Sequence, residues 1–156
     1  MKPYDPQMAA RVWKRVQAQP EEKLLPQKDP QQLLGMIAQE RTAATGYLAL
    51  SRRCQGRPSL LLRQLFQEEQ AHAACLKGIY TLLTGQHPAL HQVQPVQEPV
   101  TTALRRCYGA QMRSLAQYEQ WSSDPEYGQV FARIAAQERE HCRIILELLG
   151  TLPPKA

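Results

Sequence analysis

The sequence predicts an all-α protein: an antiparallel four-helix bundle of two helical hairpins joined by a long crossover, with a short N-terminal helix before it. The 156 residues are rich in helix-forming Leu, Ala, Gln, Arg and Glu and contain few aromatic residues. Apolar residues recur at helical spacing in four long segments. Polar motifs in the second half of the chain repeat the spacing of those in the first half. A chain of this length forms one domain with a substantial core.

An N-terminal arm precedes the predicted bundle. Within the arm, residues 6–18 predict a short amphipathic helix, because apolar side chains recur there at helical spacing. These side chains are Met8, Val12, Trp13 and Val16. We expect this helix to pack on the outside of the bundle or on a partner subunit. The chain thus divides into an N-terminal arm, the bundle and a C-terminal tail, at residues 1–29, 30–150 and 151–156.

The first hairpin is predicted from two helices, at residues 30–54 and 58–84. The first begins at Asp29-Pro30, because Asp is a good N-cap and Pro fits the first helical position. A short turn follows, which makes the two helices antiparallel neighbours. Gly85 is expected to end the second helix.

The second hairpin follows a long connection. Residues 85–98 are rich in Gln, His and Pro and show no regular pattern, which suits a crossover from one end of the bundle to the other. The two helices of this hairpin are predicted at residues 99–121 and 125–149. Asp124-Pro125 marks the start of the last helix, and Gly150 is expected to end it.

Each predicted hairpin carries one Glu-x-x-His motif on its second helix. Glu69 and His72 form the first motif, and Glu138 and His141 form the second, 69 residues further along the chain. Residues three apart on a helix share a face, so the two members of each motif can point at one object. Both motifs lie within apolar stripes, which predicts that they face the core.

The first helix of each hairpin carries a matching polar pair. Tyr47 follows Glu40 at the same interval as Tyr118 follows Gln111, and the two pairs lie 71 residues apart. Two Glu-x-x-His helices plus one Glu from each of two further helices form the ligand set of a dinuclear metal site inside a four-helix bundle. In this sequence Gln111 stands where the repeat predicts the fourth Glu.

The buried polar residues allow two interpretations. Carboxylates and imidazoles suit iron, manganese or zinc, and a metal ion would relieve the cost of burying several Glu side chains in an apolar bundle. Without a metal, the same Glu, His, Gln and Tyr side chains would form a buried hydrogen-bonded network. The repetition of the motif on two core faces favours the metal site.

On Glu40, the two Glu-x-x-His motifs and the Gln111 position, the chain resembles the ferritin-like di-iron carboxylate superfamily, and within it the rubrerythrin-like four-helix domains. The resemblance covers roughly residues 30–150. It implies a ferritin-like bundle holding one or two iron or manganese ions per chain. It also implies an oxidoreductase activity toward peroxide or oxygen.

The resemblance assigns roles to individual residues. Glu40 and His72 would be terminal ligands of one metal, and His141 a terminal ligand of the other. Glu69 and Glu138 would bridge both metals. The tyrosines that lie near the metals in several such proteins correspond to Tyr47 and Tyr118.

The sequence departs from the family pattern at Gln111. A neutral amide oxygen is a weaker ligand than a carboxylate, and three carboxylates facing two divalent ions leave about one positive charge uncompensated. We therefore expect the two half-sites to differ in affinity. The stronger half-site would consist of Glu40, Glu69, His72 and Glu138, and the weaker one of His141 and Gln111.

Two further departures concern modules of the family. No rubredoxin-like cysteine module is present, so a peroxide reductase of this type would need an external electron donor. The fifth helix of true ferritins is also missing, which argues against a storage shell. We expect a homodimer, because dimers are common among such bundles.

Composition argues against several other classes of protein. No stretch is long and apolar enough for a membrane span, and the N-terminus has no apolar signal core, so we expect a cytoplasmic protein. The four cysteines are isolated from one another, which argues against a zinc ribbon or a disulfide framework. The net charge of +5 is modest and its basic pairs lack interleaved aromatics, which argues against nucleic-acid binding.

Three functions are compatible with the sequence. The first is a ferritin-like metal-binding protein with an internal di-iron or manganese carboxylate site. The second is a metal-free or degenerate ferritin-like bundle that acts as a binding or structural protein, and Gln111 is its main support. The third is a DNA-associated protective protein, supported only by the basic isoelectric point.

Overall fold

The computed structural model describes residues 29–153, which form four α-helices and no strand. The helices are α1 (Pro30–Ser51), α2 (Gly56–Thr84), α3 (Val100–Trp121) and α4 (Gly128–Thr151). The predicted all-α class is confirmed. The helix predicted at residues 6–18 lies outside the described residues. None of the four helices combines the length and the apolar character needed to cross a membrane.

Two predicted helix signals operate as expected. The Oδ1 atom of Asp29 accepts a hydrogen bond from the backbone N–H of Gln31 at 2.9 Å, and Pro30 occupies the first turn of α1. Gly85 ends α2 with a φ of 70°, in the left-handed region that glycine adopts without a steric penalty.

The predicted start of α4 at Pro125 is wrong. Asp124 instead closes a separate turn, in which its Oδ1 atom accepts hydrogen bonds from the backbone N–H groups of Glu126 and Tyr127, at 3.0 and 2.7 Å. The helix begins at Gly128, where the chain passes close to the backbone of Ser122. A capped turn and a helix start share the same Asp-Pro signal, so the sequence alone does not separate them.

The other predicted boundaries either coincide with the observed ones or differ from them by one to three residues. The largest of these differences is at the end of α1, which stops at Ser51 and not at residue 54. Gly150 does not end α4 as predicted. The helix continues through it to Thr151, and the extended backbone of Leu152 follows.

The helices pack as two hairpins, α1 with α2 and α3 with α4, and smaller contacts join α1 to α3 and α2 to α4. Two apolar clusters fill the interior. The first joins the N-terminal parts of α1 and α4 to the C-terminal parts of α2 and α3, and includes Leu33, Ile37, Leu76, Ile79, Leu115, Trp121, Phe131 and Ile134. The second joins the opposite helix ends and includes Leu50, Leu62, Leu65, Leu104, Cys107, Ile145 and Leu148.

The connector at residues 85–99 joins the two ends of the bundle, because the end of α2 belongs to the first cluster and the start of α3 to the second. It lies along α1. There the guanidinium groups of Arg41 and Arg53 donate hydrogen bonds of 2.7 Å to the backbone oxygens of His91 and Glu98. The chain therefore crosses the length of the bundle between its two hairpins.

A buried polar layer separates the two apolar clusters. Every helix contributes to it at a core-facing position, and no member is more than 3% exposed. Its members are Glu40 from α1, Glu69 and His72 from α2, Gln111 from α3, and Glu138 and His141 from α4.

Candidate metal centre

Four residues of the polar layer converge on one point. Glu40, Glu69, His72 and Glu138 each offer a ligand atom, and these atoms all lie within 4.8 Å of one another. Three helices supply them. The helical spacing of α2 turns Glu69 and His72 to the same face, and the packing of α1 and α4 against α2 brings the two remaining carboxylates beside them. A buried group of three carboxylates and one imidazole is able to hold a metal ion.

The Nδ1 atom of His72 lies among the three carboxylates. It is 2.9 Å from Oε1 of Glu138, 3.3 Å from Oε2 of Glu69 and 3.5 Å from Oε2 of Glu40. The other ring nitrogen, Nε2, donates a hydrogen bond of 3.0 Å to the amide oxygen of Gln137. That bond fixes the ring so that Nδ1 faces the carboxylates.

Several atoms of the polar layer lack the hydrogen bonds that buried polar atoms normally make. Within the described residues these atoms are Oε2 of Glu69, Nδ1 of His72, Oε1 of Gln111 and both carboxylate oxygens of Glu138. An unpaired buried polar atom costs about 1–3 kcal/mol, and a metal ion among these atoms would relieve that cost. Carboxylate oxygens and an imidazole nitrogen are atoms that can ligate a metal ion.

His141 and Gln111 lie beside this group but outside it. The Nδ1 atom of His141 is 3.1 Å from Oε1 of Glu69 and 3.9 Å from Oε1 of Glu138. The Gln111 amide donates to the same Oε1 atom of Glu69 and, at 3.0 Å, to the hydroxyl of Tyr47. The two His rings stack with centroids 5.6 Å apart. Of the six ligands predicted from sequence, four thus come together and two engage Glu69 from its other side.

The two predicted tyrosines lie fully buried against the layer. Tyr118 donates a hydrogen bond from its hydroxyl to Oε1 of Glu40, and the Tyr47 hydroxyl accepts the bond from Gln111. Burial raises the pKa of both phenols well above the ordinary value, so both remain neutral at pH 7. Each tyrosine therefore contacts a different member of the layer.

The structure reveals a second pair of residues that the Glu-x-x-His pattern does not include. Glu68 precedes the first Glu-x-x-His motif and accepts a hydrogen bond of 2.6 Å from Nε2 of His141. Gln137 precedes the second motif and accepts the bond from His72 described above. The residue that precedes each motif thus orients the histidine of the other motif. The signal was present in the sequence, because Glu68 and Gln137 are themselves 69 residues apart.

Burial and the crowding of carboxylates control the protonation of the layer. Burial raises the pKa of Glu40 well above its ordinary value, and burial also raises the pKa of Glu138 to about 7. Burial alone would lower the pKa of His72, but its contacts with Glu138, Glu40 and Glu69 raise it to about 12. The pKa of Glu69 is lowered despite burial, since its neighbours Glu40, His141 and His72 stabilise its negative charge. The metal-free layer therefore holds protons that a metal ion would displace.

Comparisons of the chain with known protein families, with curated proteins and with solved structures find no match.

Proposed function

We propose that this chain is a metal-binding protein of the ferritin-like di-iron carboxylate superfamily, with an internal iron or manganese site between its two hairpins. The observation that carries the proposal is the convergence of four buried ligand groups within 4.8 Å. The unpaired Nδ1 atom of His72 and the unpaired oxygens of Glu69 and Glu138 support it, because these atoms belong to the same four groups. The order of two hairpins and a long crossover agrees with the same class of bundle.

The residues around the group have separate tasks. The two apolar clusters keep water from both sides of the layer, which strengthens every electrostatic interaction inside it. Tyr118 holds a proton against Oε1 of Glu40 and leaves Oε2 facing His72. Gln137 holds His72 with Nδ1 toward the carboxylates. A bound iron or manganese would supply redox chemistry toward peroxide or oxygen.

The proposal includes unequal half-sites. The group of Glu40, Glu69, His72 and Glu138 would hold one ion tightly. The Gln111 side chain meets Glu69 with its amide nitrogen, which cannot ligate, and its oxygen is unpaired. A second ion beside His141 would require the amide to turn over, and it would gain only a neutral ligand.

A second candidate function is a metal-free bundle with a structural or binding role. The hydrogen bonds of Gln111 to Glu69 and of His141 to both Glu69 and Glu68 favour it, because they satisfy part of the layer without any ion. The two candidates differ in one measurable property, the metal content of the folded protein.

Elemental analysis of protein purified from iron- and manganese-rich medium tests the proposal. We expect about one tightly held ion per chain, its loss in Glu138→Gln, and occupancy closer to two in Gln111→Glu. Gln120→Glu adds the same charge at an exposed position of α3 and should leave the metal content unchanged. Absence of metal from folded protein would favour the metal-free bundle. Two tightly held ions in the unaltered chain would overturn the unequal half-sites.

A further inference from the structure

A cavity of about 350 Å³ lies between α1 and α3, and its floor belongs to the polar layer. Glu40 and Gln111 form part of that floor. The cavity exists because α1 and α3 make few contacts and face each other with small side chains such as Ala38, Ala43 and Ala110. It opens outward past exposed residues of both helices, and Glu40 is the one member of the metal-capable group that lines it.

The size of the cavity indicates the class of its occupant. Oxygen and peroxide are comparable in size to water, which takes up about 30 Å³ in the liquid. Cavities that bind organic molecules usually measure about 300–1,000 Å³. The space between α1 and α3 therefore lies in the size range of cavities that bind organic molecules.

The charges and walls of the cavity further restrict the class of molecule that it can bind. Arg106 and Arg113 lie at its exposed rim, seven residues apart on α3. Arg106 is paired with Glu98 at 2.5 Å, whereas Arg113 has no ion-pair partner within residues 29–153. Below the rim the methyl groups of Ala43 and Ala110 contribute apolar walls, and Gln111, whose side-chain oxygen is unpaired, belongs to the floor. The arrangement fits a molecule with an anionic head and an apolar body.

We propose that this cavity binds an organic carboxylate, with its head group at Arg113 and its apolar body against Ala110 and Ala43, so that its far end reaches Glu40. This inference deepens the proposed function, because it places an organic substrate beside the proposed metal group. The binding itself requires only the arginine and the space between the helices. Guanidinium groups suit the head because they donate two parallel hydrogen bonds to a carboxylate.

Octanoate is a suitable probe, and isothermal titration calorimetry of the full chain measures its binding. We expect saturable binding, with 1-octanol binding more weakly because it lacks the charge. Arg113→Ala should weaken octanoate binding about tenfold or more, since a hydrogen bond to a charged group is lost. Arg105→Ala removes an exposed arginine of the same helix that does not line the cavity, and it should leave the affinity unchanged.

Filling the cavity gives an independent test. We expect octanoate binding to be abolished by Ala110→Leu and by Ala43→Leu, which fill the cavity from opposite walls. The decisive variant is the one whose thermal unfolding midpoint stays unchanged, because it is still folded. Ala116→Leu makes the same change at an exposed position of α3 and should bind as the unaltered chain does. Octanoate that fails to saturate, or that binds equally well to a folded filled variant or to Arg113→Ala, would overturn the inference.

Metal content measured on the same samples separates this inference from the proposed function. Octanoate binding to protein that never takes up metal would support the cavity and count against the metal centre. Bound metal without any octanoate binding would support the metal centre and overturn the cavity proposal.

Discussion

The carboxylate of Glu68 on α2 lies 2.6 Å from Nε2 of His141 on α4, on the side of the ring turned away from Glu69. His72 receives only a neutral amide at the equivalent atom. In the half of the layer where Gln111 replaces a carboxylate, the outer nitrogen of the histidine thus contacts a carboxylate, that of Glu68. Glu68 is 26% exposed, so its charge is only partly desolvated. The negative charge of Glu68 makes the other ring nitrogen of His141 a stronger ligand for a metal ion.

Glu68→Gln should therefore weaken any metal held through His141. Residues that orient a metal-bound histidine usually contribute a factor of about 10–100 in affinity. The effect is best measured in the Gln111→Glu background, where we expect the second ion to bind, by competition with a chelator. Glu140→Gln changes an exposed carboxylate of α4 and is the matched control. Equal affinities in the Glu68 and Glu140 variants would show that Glu68 has no such role.

The metal-free protein should lose stability as the pH rises from 5 to 8. The pKa of Glu138 is about 7 in the folded chain against an ordinary value of 4.5, so unfolding releases a proton across that range. The contribution of His72 is present below its ordinary pKa of 6.5 and is lost as the pH rises toward about 12. Both groups bind more protons in the folded state, which gives the free energy of unfolding a negative slope with pH.

Urea unfolding at several pH values checks this slope. Glu138→Gln should flatten the part of the curve between pH 4.5 and 7, because the folded and unfolded states then bind equal numbers of protons at that position. Metal-loaded protein should show the opposite trend, since the ion binds the deprotonated ligands. Greater stability of the metal-free chain at pH 8 than at pH 5 would contradict the assignment of these protons.

Tyr118→Phe should destabilise the metal-free protein by about 1–3 kcal/mol. The change removes the hydroxyl that donates to Glu40 and leaves a buried carboxylate oxygen without its partner. Tyr80→Phe is the control, because Tyr80 is only partly buried against the first apolar cluster and should change stability by less than about 0.5 kcal/mol. Similar unfolding midpoints for the two variants in urea would mean that the Tyr118 hydroxyl contributes little.

Two glycine substitutions should act in opposite directions. A Cβ added at Gly128 would lie 2.5 Å from the backbone oxygen of Ser122, so Gly128→Ala should destabilise the turn before α4 by about 1–3 kcal/mol. Gly78 lies inside α2 with open space around the same position, so Gly78→Ala should stabilise the protein by about 0.4–1 kcal/mol. Thermal unfolding of both variants measures the difference, and a stabilised Gly128→Ala would show that the close approach is relieved at no cost.

Periodicity predicted most of the fold and the members of the polar layer. An apolar stripe interrupted by Glu69 and His72 can face only the core, and the structure buries both residues almost completely. The sequence separated the four converging residues from His141 and Gln111 only through the family resemblance and the missing charge at Gln111, and not through their geometry. That division depends on which oxygen of Glu69 each neighbour contacts, and the packing of the helices decides this.

The features that escaped prediction arise between helices. The cavity beside Glu40 depends on the spacing of α1 and α3, and neither helix alone indicates a gap there. The start of α4 depends on the approach of Gly128 to Ser122, whereas Asp124-Pro125 is an equally good signal for a turn and for a helix. Side-chain periodicity reports which face of a helix is buried but not how far away the facing helix lies.

The metal-capable group takes Glu40, Glu69 and His72 from the first hairpin and Glu138 from the second. An ion held there would cross-link two segments that are otherwise joined covalently only through residues 85–99, most of which are exposed. Cleavage of that connector would leave two fragments, neither of which has the complete ligand set. The folded halves would then stay together to the extent that the ion and the two apolar clusters hold them, so metal affinity becomes a measure of hairpin association.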